Sequence, residues 1–240
     1  MHWLVAQYQP VGLFSLKPGE ATSTGGKSLL VPTPFAIRMA LLDVAIRVRG
    51  VAEGPQAFEQ IRALRLALRP PRRAAVTGLL AKILKPEREA EERARAMQRT
   101  IAFREYVHLE GTLDLAFGGE PAHLESVAPL LPHLTYLGKR GSFFQLLKPP
   151  ETVETADDRP PEGFIPLVPW NQTKGSFPLG HVQRLDDWGV SLTFEKANIY
   201  TSGKIQVGKD RIPMDVVLPY RVVHSGRGFT VYERLATQGE

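Results

Sequence analysis

The chain has 240 residues, 43% of them hydrophobic, a net charge of +5 and a pI near 9.5. It has no cysteine, which excludes disulfides and thiolate metal sites and suits a reducing compartment. No apolar run reaches the length of a membrane span, and Met1 to Gln9 lack the basic and apolar regions of a secretory signal. A cytoplasmic protein with no membrane partner is expected.

The charge is uneven. Between Ile61 and Arg104 there are 10 Arg and 2 Lys against 4 Glu, a local net of +8, whereas the rest of the chain carries −3. A focused basic segment in a slightly acidic protein suits a polyanion such as nucleic acid; a solvated charged face is the alternative.

In chain order, His2 to Tyr8 reads as a strand and Val11 to Leu16 as extended. A Gly/Ser/Thr-rich loop spans Gly19 to Ser28. From Phe35 to Arg49, Ile37, Ala40, Leu41, Val44, Ala45 and Val48 recur at helical spacing, and Gly50 supplies a stop. A second helix is expected from about Pro55 to Leu68, with Ile61, Leu64 and Leu68 on one stripe and Arg62, Arg65 and Arg69 on the next. Val76 to Leu84 reads as a strand. Pro86 to Thr100 is charged all round, and the pairs Glu89/Arg93 and Glu91/Arg95 predict a partly helical projection. Tyr106 to Phe117 alternates as one strand, and Pro121 to Leu131 reads as a helix.

Leu137-Gly138-Lys139-Arg140-Gly141-Ser142 then runs into a short strand, Phe143 to Leu147. Glycines let a backbone approach an anion, consecutive amides form an anion-binding nest, and Lys139 and Arg140 add charge. A capped, solvated turn is the plainer reading. Lys148 to Pro169 reads as a linker or surface loop. Beyond it, alternating runs at Val190 to Ile199, Ile205 to Val207, Val216 to Val223 and Phe229 to Leu235 predict a small antiparallel β region. The order strand, helix, strand, strand, helix, strand is that of an α+β, ferredoxin-like domain, the topology of RNA-recognition modules.

Other motifs are weaker. Ala21 to Ser28 matches a loose phosphate-binding P-loop, but Pro32 and Pro34 fall where its helix would begin. The segment keeps the makings of an anion-contacting loop through Lys27. The six histidines have no metal-type spacing. Tyr106 and His108 share a strand face beside the basic segment, the one pair placed for general acid/base work; a partly exposed histidine with no such role is the plainer reading.

With these residues in hand, the chain resembles the CRISPR-associated protein 5 family of the RAMP superfamily. The resemblance covers about Met1 to Leu147. It rests on the first strand, the proline-rich approach Val31-Pro32-Thr33-Pro34-Phe35, the basic insertion between the central strands, and Tyr136 to Ser142. It implies a ferredoxin-like domain at 1–147 that holds the 5′ handle of the CRISPR RNA (crRNA), with a basic thumb at about 85–104. The linker at 148–169 and the C-terminal β region at 170–240 lie outside it. The insertion here reads as more helical than that family's β-hairpin thumb.

The expected role is a non-catalytic RNA-binding subunit of a type I (Cascade) effector complex. Its partners would be the crRNA, backbone and large subunits, with target DNA left open. No cofactor or metal is expected. The candidate RNA contacts are Lys27, Arg38, Arg93, Arg95, Arg99, Arg104, Gly138, Lys139, Arg140, Gly141 and Ser142. A metal-independent ribonuclease using His108, or a generic single-stranded RNA binder, are the rival readings.

Overall fold

The structure is a computed structural model and describes residues 1–19, 27–85, 97–173, 179–201 and 203–235. Its main sheet is built around β1 (His2–Pro10). β1 pairs antiparallel with β5 (Leu113–Gly119), from His2 opposite Gly119 to Tyr8 opposite Leu113. β5 pairs with β2 (Arg65–Arg69), and β6 (Phe144–Leu146) lies on the other side of β1. The resulting order is β6-β1-β5-β2.

Strand alternation decides which side chains enter the core. Leu4, Ala6 and Tyr8 of β1 face the helical layer. Trp3 faces away and packs with Ala67 and Ala116. Its ring occupies the space beside Gly118, where a Cβ would come within 2.8 Å of it.

The helical layer begins with α1 (Pro34–Arg49). Thr33 caps it, its Oγ1 accepting from the Ala36 N–H at 3.1 Å. Pro34 occupies the first turn, where its missing N–H costs nothing. Gly50, at φ 93°, closes the other end. α2 (Gly54–Ala63) and α3 (Pro121–Val127) complete the layer, and a 3-10 turn (Ala128–His133) follows α3.

The expected second helix ends early. Its last residues form β2, with Leu66, Ala67 and Leu68 buried. Ile61, Leu64 and Leu68 satisfy helical spacing, but Leu64, Leu66 and Leu68 equally satisfy a strand. Pairing to β5 decides between them. The expected arginine stripe is consequently split. Arg62 hydrogen-bonds the carbonyls of Gly189 and Leu192, Arg65 pairs with Asp158 and Arg69 with buried Asp114. Each of these arginines therefore has a partner within the chain.

The segment read as one strand from Tyr106 to Phe117 is two, separated at Gly111 (φ 108°). The first, β4 (Gln98–Glu110), pairs with β3 (Arg73–Lys85) over their full lengths, from Arg73 opposite Glu110 to Lys85 opposite Gln98. The described flanks of the basic insertion are thus strands of a long β-ribbon, and within the segment expected to be partly helical, 98–100 are strand. The expected pairs Glu89/Arg93 and Glu91/Arg95 lie outside the described residues.

The expected linker is part of the main sheet. β7 (Glu151–Glu154) pairs with β1, and β8 (Ile165–Pro166) pairs with β2. The C-terminal region does contain antiparallel strands, as expected. β9 (His181–Trp188) and β10 (Arg211–Leu218) pair antiparallel as a two-stranded sheet, with β9 against α1. α4 (Phe194–Ala197) stands where a strand from Val190 to Ile199 was expected, and 205–207 forms no strand beyond a single bridge at Val207. β11 (Tyr220–Gly226) and β12 (Phe229–Arg234) extend the ribbon into a four-stranded sheet, β11-β12-β3-β4. One buried cluster runs from Leu4 through the helices to Leu218 and Tyr220. Among the described residues, no helix is long and apolar enough to cross a membrane.

Candidate nucleic-acid interface

The glycine-rich loop is clamped at its base and open at its tip. Tyr136 bridges to Phe143, the Leu137 N–H donates to the Ser142 carbonyl at 3.2 Å, and the Ser142 N–H donates to the Lys139 carbonyl at 3.0 Å. Leu137 and Ser142 are buried, whereas Gly138, Lys139, Arg140 and Gly141 are exposed. Both glycines have positive φ, 75° at Gly138 and 98° at Gly141, a region open to glycine without strain. Among the described residues, nothing accepts from the amides of Lys139, Arg140 or Gly141. Ser142 is corrected from an RNA contact to a turn-closing residue, because its amide and carbonyl are both spent within the loop.

Beside the loop lies a groove of about 530 Å³. Its floor is apolar: Leu16, Leu29, Phe35, Met39 and Ala40. Lys17, Arg104, Lys139, Arg140 and Arg211 supply cations around it. The Arg211 guanidinium pairs with Asp186 at 2.6 Å and lies over the Phe35 ring at 4.6 Å, so that cation is already matched. Asp43 and Tyr136 form part of the wall, with the Tyr136 hydroxyl donating to Asp43 Oδ2 at 3.2 Å. Burial, and then the Asp43 charge, push the Tyr136 hydroxyl pKa up, keeping it protonated as a donor.

Of the expected contacts, the groove gathers Arg104, Gly138, Lys139 and Arg140, and Gly141 sits at the adjoining loop tip. Arg38 is corrected. Its guanidinium is buried, donates to both oxygens of Asp187 at 2.8 and 3.3 Å, and caps the end of α2 through the carbonyls of Ile61 and Leu64. A long cation on the buried face of α1 is held there because those carbonyls lack helical partners. Lys27 is exposed but does not line the groove; its charge helps lower the pKa of His181, after burial, which contributes more. Arg99 and Arg104 are five residues apart on one strand and so project from opposite faces of the ribbon. Arg93 and Arg95 lie outside the described residues.

No family model matches the chain. Over 169 residues it is 29% identical to the CRISPR-associated protein Cas5 of Archaeoglobus fulgidus, covering 70% of this chain and 71% of that protein. The chain thus resembles a Cas5 protein over most of its length. Two solved structures are also similar: a CRISPR protein from Archaeoglobus fulgidus and a CRISPR RNA-guided surveillance complex. The first is 10% identical, with a TM-score of 0.44 over 100% of this chain and 97% of that one. The second is 14% identical, with a TM-score of 0.42 over 90% and 91%.

The outer ribbon carries a second surface. Leu80, Lys82 and Leu84 of β3 stand opposite Phe103, Ile101 and Arg99 of β4, so all six share one face. Leu80 is 69% exposed and Ile101 62%. Tyr106 and His108 share the other face, with Tyr106 half-buried and His108 exposed. Among the described residues, no cluster of three or more His, Asp or Glu could hold a metal.

Sequence reasoning missed Lys17, Asp43, Tyr136 as a wall residue, and Arg211. Asp43 reads only as the i partner of Arg47 on a helix, and nothing local to Arg211 marks it. Their meeting is a product of the fold.

Proposed function

We propose that this chain belongs with Cas5 and is a non-catalytic subunit of a type I CRISPR surveillance complex, binding the 5′ handle of the crRNA in the groove beside the glycine-rich loop. The observation that carries this reading is the union of free loop amides, loop cations and an apolar floor in one concavity. Amides and cations suit phosphates, and the floor suits unstacked bases, the combination by which single-stranded RNA is held. The Cas5 relationship supports a place in such a complex. The domain around β1 is read as ferredoxin-like, because its β-α-β-β-α-β path and order β6-β1-β5-β2 are those of that fold. The apolar, basic face of the ribbon is assigned to a neighbouring protein subunit, since a stripe of exposed aliphatic residues disfavours water contact.

Purification with its genomic neighbours should recover crRNA, and the isolated chain should bind handle RNA with an affinity that falls steeply with salt. A salt-independent affinity would overturn the reading. The ribonuclease alternative draws on the shared face of Tyr106 and His108. Incubation with repeat RNA in EDTA tests it: intact RNA is expected, and site-specific cleavage lost in His108→Ala would establish the enzyme instead.

A further inference from the structure

Asp43 is the one acidic residue lining the groove among the described residues. It projects from α1, and its side chain is 18% exposed. Oδ2 is doubly occupied: Arg47 Nε donates to it at 2.9 Å and Tyr136 Oη at 3.2 Å. Oδ1 accepts from no described residue. A carboxylate is acceptor-only, so Oδ1 presents unused lone pairs beside an apolar floor. An accessible acceptor in such surroundings favours a ligand donor that replaces the water it would otherwise hold.

That donor is not a phosphate, which the carboxylate repels and the cationic loop attracts. The groove therefore separates the two chemistries of a nucleotide. Phosphate belongs at the amides of 139–141, and the base belongs on the floor formed by Leu16, Phe35 and Met39, its polar edge toward Asp43. At about 530 Å³ the groove falls within the roughly 300–1,000 Å³ typical of small-ligand sites.

We infer that Asp43 selects the base seated in this groove, favouring one with an exocyclic amino group over uracil. Adenine and cytosine each present an amino N–H on the edge used for pairing. Uracil presents a single N–H between two carbonyl oxygens, and those oxygens repel a carboxylate. The inference rests on the RNA-binding reading of the groove and adds to it the class of base.

The test measures affinities of the full chain for oligo-A, oligo-C and oligo-U at one fixed salt concentration. Wild type should prefer oligo-A and oligo-C by about tenfold, the scale of a good base-edge contact. Asp43→Asn keeps the shape but offers a donor, and should erase most of that preference while leaving the salt slope unchanged. Arg47→Gln loosens the same carboxylate from outside the groove, and should keep the preference. A ligand-side arm needs no variant: oligo-A carrying N6,N6-dimethyladenine, which lacks the amino N–H, should bind wild type as weakly as oligo-U. Equal affinity for all three oligomers, or a preference that survives both Asp43→Asn and dimethylation, would overturn the inference alone. Failure of wild type to bind any oligomer would overturn the RNA-binding reading as well.

Discussion

Leu16 Cδ2 fills the space beside Gly138 where a side chain would begin: an ideal Cβ there would lie 2.3 Å from it. Leu16 belongs to the segment after β1, yet it sets the position of a loop more than a hundred residues later. Gly141, in the same loop, has open space around it and needs glycine only for its φ of 98°. Gly138→Ala should therefore cost more than Gly141→Ala, about 2–3 kcal/mol against about 1 kcal/mol, because strain is joined by overlap. Thermal melts of the two variants check this, and equal losses would show that Leu16 yields freely.

Lys139→Ala/Arg140→Ala should leave the melt unchanged, since both side chains are exposed. RNA affinity should fall, and the slope of log affinity against log salt should shrink by roughly one to two units if each cation meets a phosphate. An unchanged slope would place the RNA elsewhere.

Arg38→Ala should behave in the opposite way. Removing this guanidinium strands Asp187 and the carbonyls at the end of α2, a loss of about 3–5 kcal/mol by analogy with other broken buried pairs. Denaturant unfolding measures it. At temperatures where the variant stays folded, its RNA salt slope should match wild type.

Leu80→Glu/Ile101→Glu places two acids on the exposed face of the ribbon. Both positions are solvent-facing, so the isolated chain should fold and bind RNA as before. Reconstitution with partner subunits should fail. Normal assembly, read by size-exclusion chromatography, would remove this face from the partner interface.

The Asp210 carboxylate accepts hydrogen bonds from Lys196 at 2.8 Å, the Gln206 N–H at 2.9 Å and Ser191 at 3.1 Å, and these hold its pKa below the ordinary 3.8. Because the folded value is depressed, its stabilising contribution is complete above pH 3.8 and fades as pH falls through the lower folded value. Asp210→Asn should lower the melting temperature at pH 7 and narrow the gap to wild type in strong acid. A gap that is constant with pH would mean that the charge is not what stabilises this turn.

Part of the fold was legible because its signals are local. The helical spacing from Ile37 to Val48 and the stop at Gly50 mark α1 to within a residue or so, through periodicity and a positive-φ glycine. The alternation at His2 to Tyr8 marks β1, and two glycines around two cations mark the exposed loop. The 65–69 segment was not legible, because its apolar residues fit both periods and only the vacancy beside β5 chooses strand. Arg38 was misread because a cation in sequence carries no sign of whether carbonyls or solvent await it.

The sequence by itself determined where chain segments start, stop and expose their charges, since capping, periodicity and glycine φ are properties of neighbouring residues. Tertiary structure alone decided which segments meet. It joined β12 to β3 across about 150 residues of chain, made sheet edges of the stretch after Lys148, and brought Asp43 to Tyr136, 93 residues apart. Those pairings depend on the apolar area and backbone hydrogen bonds each segment gains against a distant partner, and a distant partner leaves no mark on local sequence.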